Sequence, residues 1–247
     1  MSAGTVADVL DRLRAIESSL PHTDGVACFA GLYRQVTESV SGALATQTFA
    51  DPTFLEQLDV AFAELFFTAL ETCERDPESA PPAWRPLFLA RSRRDIAPIQ
   101  FALAGMNAHI NRDLPVAVVT TCSTRTIDPR SDSPEHTDFL RVNALLVEVE
   151  AKLKKQSYLP GWFDAVDRIL HRAHRLDDVI AMWDVERARE AAWINAETLW
   201  TLRGAPELAA DFLASLDRMV GFASRGLLVP SASWLQRFVS RLRRAAR

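Results

Sequence analysis

Residues 96–115 read IAPIQFALAGMNAHINRDLP, and this stretch indicates the fold class of the whole chain. Up to Met106 it is apolar except for Gln100, which is typical of a helix that runs through a protein interior. Apolar positions recur at three- and four-residue intervals along almost all of the remaining chain, whereas alternating apolar and polar positions are scarce. The sequence therefore predicts an all-α protein, built as a single-domain multi-helix bundle.

Four polar side chains interrupt this helix near its end, namely Asn107, His109, Asn111 and Asp113. Because side chains four positions apart lie on one helical face, Asn107 is predicted to share a face with Asn111, and His109 with Asp113. Buried polar groups need partners, so the helix either carries a structural hydrogen-bond network or lines a ligand or metal pocket. These four residues are our candidate catalytic group.

His109 and Asp113 are the pair best suited to chemistry. Both side chains could ligate one divalent metal ion, or the carboxylate could orient the imidazole as a general base. The carboxamides of Asn107 and Asn111 would then donate hydrogen bonds to a substrate. The alternative is a structural role, in which a core histidine is satisfied by the neighbouring carboxylate.

Asp59 lies in the apolar stripe of a predicted helix, between Leu55 and Phe62. An unpaired carboxylate there is costly and tends to be protonated, so we expect a partner. Arg189 is a candidate, because it occupies a helical stripe with Trp193. Two roles remain open for Arg189: a buried ion pair that fixes the helix register, or an anchor for a substrate carboxylate or phosphate.

Asn143 repeats this pattern between Phe139 and Leu146, and Tyr33 could bring a hydroxyl to the same region. Each is more easily explained as structural, and only their convergence would form a pocket. The candidate substrate-binding residues are therefore Asp59, Asn143, Arg189, Tyr33 and Trp193.

A second histidine and aspartate pair has the same spacing, at His174 and Asp178, with His171 one turn earlier. If this helix faced His109 and Asp113, a mononuclear metal centre would become feasible. The arginines around the pair favour a solvated, charged surface instead.

Local signals also predict element boundaries. Asp51 and Pro52 together predict a helix start, with the aspartate as the cap and the proline in the first helical position. Asp95 is predicted to mark the start of the helix that carries the polar residues, and Pro115 to end or bend it. Residues 124–134 are predicted to form a surface loop.

The 247 residues are 48% hydrophobic and include only 9 glycines, which predicts one helical domain over residues 1–230. The formal net charge of -4 disfavours nucleic acid as a partner. Residues 231–247 are predicted to form a basic amphipathic C-terminal helix. Cations at a helix end explain its arginines, and contact with an anionic membrane surface is the less favoured alternative.

The three cysteines, Cys28, Cys73 and Cys122, are widely spaced and odd in number. This is typical of reduced thiols, and it predicts a cytoplasmic protein. Residues 1–20 carry scattered charges and are predicted to form a helix, not a signal peptide. No apolar run is long enough for a membrane span.

Residues 105–115, GMNAHINRDLP, resemble the signature of a helical domain-of-unknown-function family that is frequent in actinobacteria. Further matches lie at 58–63 and 188–196, so the resemblance covers most of residues 25–205. The resemblance implies an all-α fold and points to the residues of these three segments, but it implies no activity, because none is assigned to the family.

The spacing of His109, Asp113 and Pro115 is also similar to one helix of the zinc-dependent phospholipase C and single-strand nuclease group. The chain has five histidines and lacks the further ligands of those enzymes, so at most a single-metal site is implied. Gly-rich phosphate loops, nucleophile elbows and dinucleotide fingerprints are absent from the sequence.

Three functions remain open from the sequence. The first is a cytoplasmic enzyme that acts on a small molecule in a pocket of His, Asp and Asn side chains, with or without one divalent metal. The second is a non-catalytic helical module that binds a small apolar ligand and has a structural polar core. The third is an interaction protein that uses the basic tail.

Overall fold

The structure is a computed structural model that describes residues 3–44, 49–155 and 185–230. Throughout these ranges the regular secondary structure is helical, which confirms the all-α prediction. The helices are α1 (Val6–Ser19), α2 (Gly25–Leu44), α3 (Pro52–Arg75), α4 (Arg85–Ala90), α5 (Pro98–Ala108), α6 (Leu114–Arg125), α7 (Pro134–Lys155), α8 (Val185–Thr201) and α9 (Pro206–Leu227). The predicted group around His171, His174 and Asp178 and the predicted tail helix at 231–247 lie outside the described residues.

The centre of the bundle is formed by α5, a π-helical turn at His109–Asp113, and α6, which follow one another without a break. Helices α2 and α9 pack against α5, while α3 and α8 pack against α6. The π-helical turn contacts α3, α8 and α9. The polar residues of this turn are therefore surrounded by protein, as the apolar run before them predicts.

The predicted start of α3 is confirmed. The Asp51 side chain accepts a hydrogen bond from the backbone N–H of Phe54 at 2.9 Å, and Pro52 occupies the first helical position. The start of α5 differs from the prediction, because Asp95 bonds to Arg93 instead and the helix begins at Pro98. Proline needs no hydrogen-bond acceptor for its nitrogen, which makes it a suitable first residue.

Pro115 neither ends the central helix nor leaves a gap in it. The backbone N–H of Leu114 donates to the carbonyl of His109, five residues earlier, so the helix is locally widened into a π turn. This widening has a physical reason, because proline lacks an N–H and its ring crowds the carbonyl four residues before it. The helix then continues to Arg125, where Thr126 adopts a left-handed conformation with φ 58.

Two glycines allow helices to approach more closely than a side chain would permit. A Cβ at Gly105 would lie 2.3 Å from the ring of Phe29, so this glycine brings α5 close to α2. A Cβ at Gly221 would lie 2.3 Å from the backbone oxygen of Pro82, so α9 touches the turn before α4. Within the described ranges, the helices are too short or too polar to cross a membrane.

Candidate functional site

Asp113 is the centre of a buried hydrogen-bond network. One carboxylate oxygen accepts from the indole Nε1–H of Trp84 at 2.9 Å and from Nδ1 of His109 at 3.1 Å. The other oxygen pairs with the guanidinium of Arg112 at 2.9 Å. Asp113 has no exposed surface, and His109 is only 1% exposed. The carboxylate therefore has a donor on each oxygen.

His109 is held as a neutral imidazole. Burial lowers its pKa, and the hydrogen bond to Asp113 together with the charge of that carboxylate opposes this effect without reversing it. Donation of the Nδ1 proton to Asp113 leaves Nε2 as an acceptor, and this buried atom has no hydrogen-bond partner among the described residues. Phe62 stacks on the imidazole at 3.5 Å between ring centres, and Tyr33 meets it edge-on at 4.6 Å.

Three members of this network were not predicted, namely Trp84, Arg112 and Asp217. Arg112 also reaches Asp217 on α9 at 3.3 Å, and Asp217 accepts the backbone N–H of Ala83 at 3.0 Å. The network thus ties the central helix to α9 and to the turn before α4. The sequence pattern could have identified Asp217, because it lies in an apolar helical stripe as Asp59 does. It could not have identified Trp84, which lies in a proline-rich turn without periodicity.

Asn107 and Asn111 face a different neighbour from His109. The Asn107 amide donates to the carbonyl of Val220 and to the hydroxyl of Ser224, both at 3.0 Å on α9. Its oxygen accepts from the Asn111 amide at 3.1 Å. The structure therefore separates the two predicted pairs, and the carboxamides link α9 to the central helix.

A cavity of about 60 Å³ lies beside this network, in front of Phe62. Phe62 is one of its lining residues and also stacks on His109. The cavity is partly open to solvent, and its volume corresponds to about two water molecules at liquid density. The four candidate catalytic residues do not line it. The lining residues are Val6, Thr37, Val40, Ser41, Leu55, Leu58, Asp59, Phe62, Leu114, Val142 and Arg189.

Asp59 and Arg189 both line this cavity but form no ion pair in the described structure. One carboxylate oxygen of Asp59 is buried without a hydrogen-bond partner. Burial raises the pKa of Asp59 to about 7, although the positive charge of Arg189 opposes the shift. Asp59 retains some accessible surface, which is consistent with its place in the cavity wall.

Arg189 is 7% exposed and is held by neutral groups. Its Nε–H donates to the side-chain oxygen of Asn143, and its guanidinium lies 4.2 Å above the centre of the Phe139 ring. Burial lowers its pKa to about 10, and the charge of Asp59 partly offsets this. Asn143, predicted as a binding residue, therefore positions Arg189 instead of lining the cavity.

The remaining two predicted binding residues occupy different places. Tyr33 is buried next to His109, and its hydroxyl has no hydrogen bond of good geometry, although Thr37 lies beside it on α2. Burial and the charges of Asp59 and Asp113 raise its pKa well above its usual value. Trp193 packs on Phe139 at 4.9 Å and does not line the cavity.

The hypothesis of a divalent metal finds no support in the described part of the chain. No group of three or more His, Cys, Asp or Glu side chains converges there. Both oxygens of Asp113 already accept hydrogen bonds or pair with Arg112, and Nδ1 of His109 faces the same carboxylate. The pair is therefore poorly disposed to share a cation.

The raised pKa of Asp59 predicts a measurable pH dependence of stability. Because the folded state holds this proton up to about pH 7 and the unfolded chain releases it near 4, wild-type stability falls relative to Asp59→Asn across that interval. The difference is expected to change by at most about 1.4 kcal/mol per pH unit and to level off above about pH 8. Urea unfolding of both proteins at several pH values measures it. A difference that does not vary with pH would contradict the assignment.

Comparison with known proteins gave one family match. A family described as "Family of unknown function (DUF5995)" matches residues 6–230. No curated protein and no solved structure matches the chain. The match spans all of the elements described above, so it covers both the Asp113 network and the cavity.

Proposed function

The chain belongs to the DUF5995 family of unknown function, and we propose that it binds a small polar molecule in the cavity beside Asp59 and Arg189. The observation that carries this proposal is that a carboxyl group and a guanidinium line one cavity, which is partly open to solvent, without pairing. Our leading hypothesis is an enzyme in which Asp59 exchanges a proton with the bound molecule.

Unpartnered polar atoms around the cavity support this proposal. Two residues that line the cavity, Thr37 on α2 and Asp59 on α3, each carry a buried side-chain oxygen without a hydrogen-bond partner. Each such atom costs free energy on folding unless water or a ligand satisfies it. A polar molecule that enters the cavity can supply partners for both of these atoms.

The role of Asp59 follows from its environment. A carboxyl group with a pKa of about 7 can both give and accept a proton at neutral pH, which is the property of a general acid or base. Arg189 would orient the ligand, while Asn143 and Phe139 hold the guanidinium in place. His109 and Asp113 would support the wall formed by Phe62 and would not contact the ligand.

A second candidate function is a non-catalytic binding module with a structural polar core. The observation in its favour is that each oxygen of Asp113 already has a partner within the protein, as expected for a network that holds helices in register. The two candidates differ in turnover. A binding module returns its ligand unchanged, whereas an enzyme converts it, and mass spectrometry of the released molecule distinguishes them.

The test of the cavity uses one blocking substitution and one control. Val40 lines the cavity, and Val36, one turn earlier on α2, is likewise half-buried but does not line it. A library of small polar molecules is screened by thermal unfolding of the wild type, Val40→Phe and Val36→Phe. At about 100 times its Kd a ligand stabilises the folded state by about 2.7 kcal/mol. For a chain of this size this corresponds to roughly 5–10 °C in Tm.

We expect at least one compound to raise the Tm of the wild type and of Val36→Phe and to leave that of Val40→Phe unchanged. Compounds that stabilise all three proteins equally would show that binding occurs elsewhere. A library without any binder that Val40→Phe abolishes would overturn the proposal.

A cytoplasmic location is also part of the proposal. It is supported by Cys28, Cys73 and Cys122, none of which forms a disulfide. Fractionation of cells that express the chain tests it, and recovery in the culture medium or an extracytoplasmic fraction would contradict it.

A further inference from the structure

We infer that the molecule bound in the cavity is a short monocarboxylate, whose carboxylate is held by Arg189 and accepts a hydrogen bond from protonated Asp59. This inference rests on the proposed binding function and names its ligand class. The sequence left open whether Arg189 forms a buried ion pair or anchors an anion. The absence of an ion pair with Asp59 in the described structure favours the anion.

The charge of Arg189 is the first argument. A guanidinium remains protonated under ordinary conditions, and at 7% exposure it has lost most of its contact with water. Its protein partners are the neutral amide of Asn143 and the ring of Phe139. Among the described residues its terminal nitrogens have no acceptor, and a carboxylate is the planar anion whose two oxygens match this fork.

The protonation of Asp59 is the second argument. Arg189 on α8 and Tyr33 on α2 interact with Asp59, and Tyr33 in turn contacts His109 and is influenced by the charge of Asp113 on the π-helical turn. Tyr33 and His109 are neutral near pH 7, and Asp113 is paired with Arg112. When Asp59 holds its proton, the cavity therefore has a net positive charge from Arg189, which attracts an anion. When Asp59 ionises, it repels the anion and competes for Arg189.

Size and lining are the third argument. A cavity of about 60 Å³ fits a molecule of only a few non-hydrogen atoms, and a larger ligand would have to extend out through the side that is open to solvent. Beyond the charged groups, Thr37 and Ser41 add hydroxyl groups to the wall, and the rest of it is apolar, with residues such as Leu55, Leu58 and Val142. A carboxylate with a short hydrocarbon chain matches this division into a polar end and an apolar end.

The probes are acetate, its neutral isostere acetamide, and methylammonium, titrated by calorimetry into the full chain in a buffer without carboxylates. Acetate is expected to bind to the wild type and to Val36→Phe and to be excluded by Val40→Phe. Arg189→Gln should weaken acetate binding at least about 30-fold. Arg189→Lys keeps the charge without the fork and should weaken it about tenfold. Circular dichroism and thermal unfolding establish that each variant is folded, and Arg189→Lys provides the test if Arg189→Gln does not fold.

The pH dependence of acetate affinity tests whether protonated Asp59 donates a hydrogen bond to the ligand or only lies near it. In the wild type the acetate affinity should fall about tenfold per pH unit above about pH 7, as Asp59 loses its proton. Asp59→Asn retains a neutral donor at this position, so its affinity should equal that of the wild type near pH 6 and stay constant up to about pH 8. Loss of acetate binding in Asp59→Asn would overturn this part of the inference.

Other outcomes identify which proposal fails. Acetamide or methylammonium binding more tightly than acetate, in a manner that Val40→Phe abolishes, would overturn the carboxylate and leave the cavity as a small-molecule site. Acetate affinity that is unchanged in Arg189→Gln and Arg189→Lys would likewise overturn the carboxylate and leave the cavity as a small-molecule site. Acetate binding that Val40→Phe does not affect would place it outside the cavity and would overturn the inference. If none of the three probes binds while the library still yields a binder sensitive to Val40→Phe, only the ligand class is overturned.

Discussion

Asp113→Ala is expected to lower the free energy of unfolding by about 3–5 kcal/mol, because it removes the common partner of several buried donors. Without the carboxylate, the indole of Trp84 and Nδ1 of His109 lose their acceptor, and the charge of Arg112 keeps only its longer contact with Asp217. Trp84 and His109 cannot turn to water, since both are almost fully buried, whereas Arg112 retains a small exposed fraction. The cost therefore resembles that of breaking a buried ion pair, not that of deleting a surface charge.

Urea unfolding at neutral pH measures this loss, and Asp132→Ala provides the matched control. Asp132 also bonds to an arginine, Arg130, but both side chains are mostly exposed. The control should change stability by less than about 0.5 kcal/mol. If Asp113→Ala costs as little as Asp132→Ala, the network is not a structural centre of the bundle, and a functional role for His109 and Asp113 regains support.

Gly221→Ala is expected to cost about 3 kcal/mol, near the upper end for an overpacked position. The added methyl group would lie 2.3 Å from the backbone oxygen of Pro82, and a carbonyl cannot rotate away as a side chain can. Helix α9 must then move away from the turn before α4. That movement also stretches the bond between Asp217 and the N–H of Ala83, one helical turn earlier.

Gly226→Ala is the control for this prediction, since it lies on the same helix and, apart from the backbone of that helix, no atom of the described residues lies within 4 Å of its added methyl group. Alanine has the higher helix propensity, so this variant should be more stable by up to about 1 kcal/mol. Chemical unfolding of both variants gives opposite signs if the close contact is real. A stabilised Gly221→Ala would mean that α9 does not approach Pro82 as described.

These two predictions concern the stability of the helix packing around the site, and the cavity experiments concern ligand binding in it. The Asp113 network connects the central helix, α9 and the turn before α4, and through His109 it supports one face of Phe62. Phe62 also lines the cavity. We therefore expect variants of the network to alter stability first and ligand affinity only indirectly, whereas Asp59 and Arg189 variants change ligand affinity directly.

Parts of the site could be predicted because a polar residue in an apolar stripe is visible in the sequence. This signal identified Asp59, Asn143 and Arg189, and the structure places the first and last of them at one cavity. The sequence could not show which of these residues is the hydrogen-bond partner of Arg189. Arg189 donates a hydrogen bond to Asn143 and not to Asp59, so the expected ion pair is absent from the described residues and one oxygen of Asp59 has no hydrogen-bond partner.

The sequence by itself determined the helical class, the start of α3 at Asp51 and Pro52, and the two pairs on the central helix, because each depends on residues within one or two turns of one another. Only the tertiary structure decided which neighbours those residues meet. The bond between Ala83 and Asp217 joins positions 134 apart, and the one between Asn143 and Arg189 joins positions 46 apart. Such contacts depend on helix packing distances to within a fraction of an ångström, and periodicity carries no information about them.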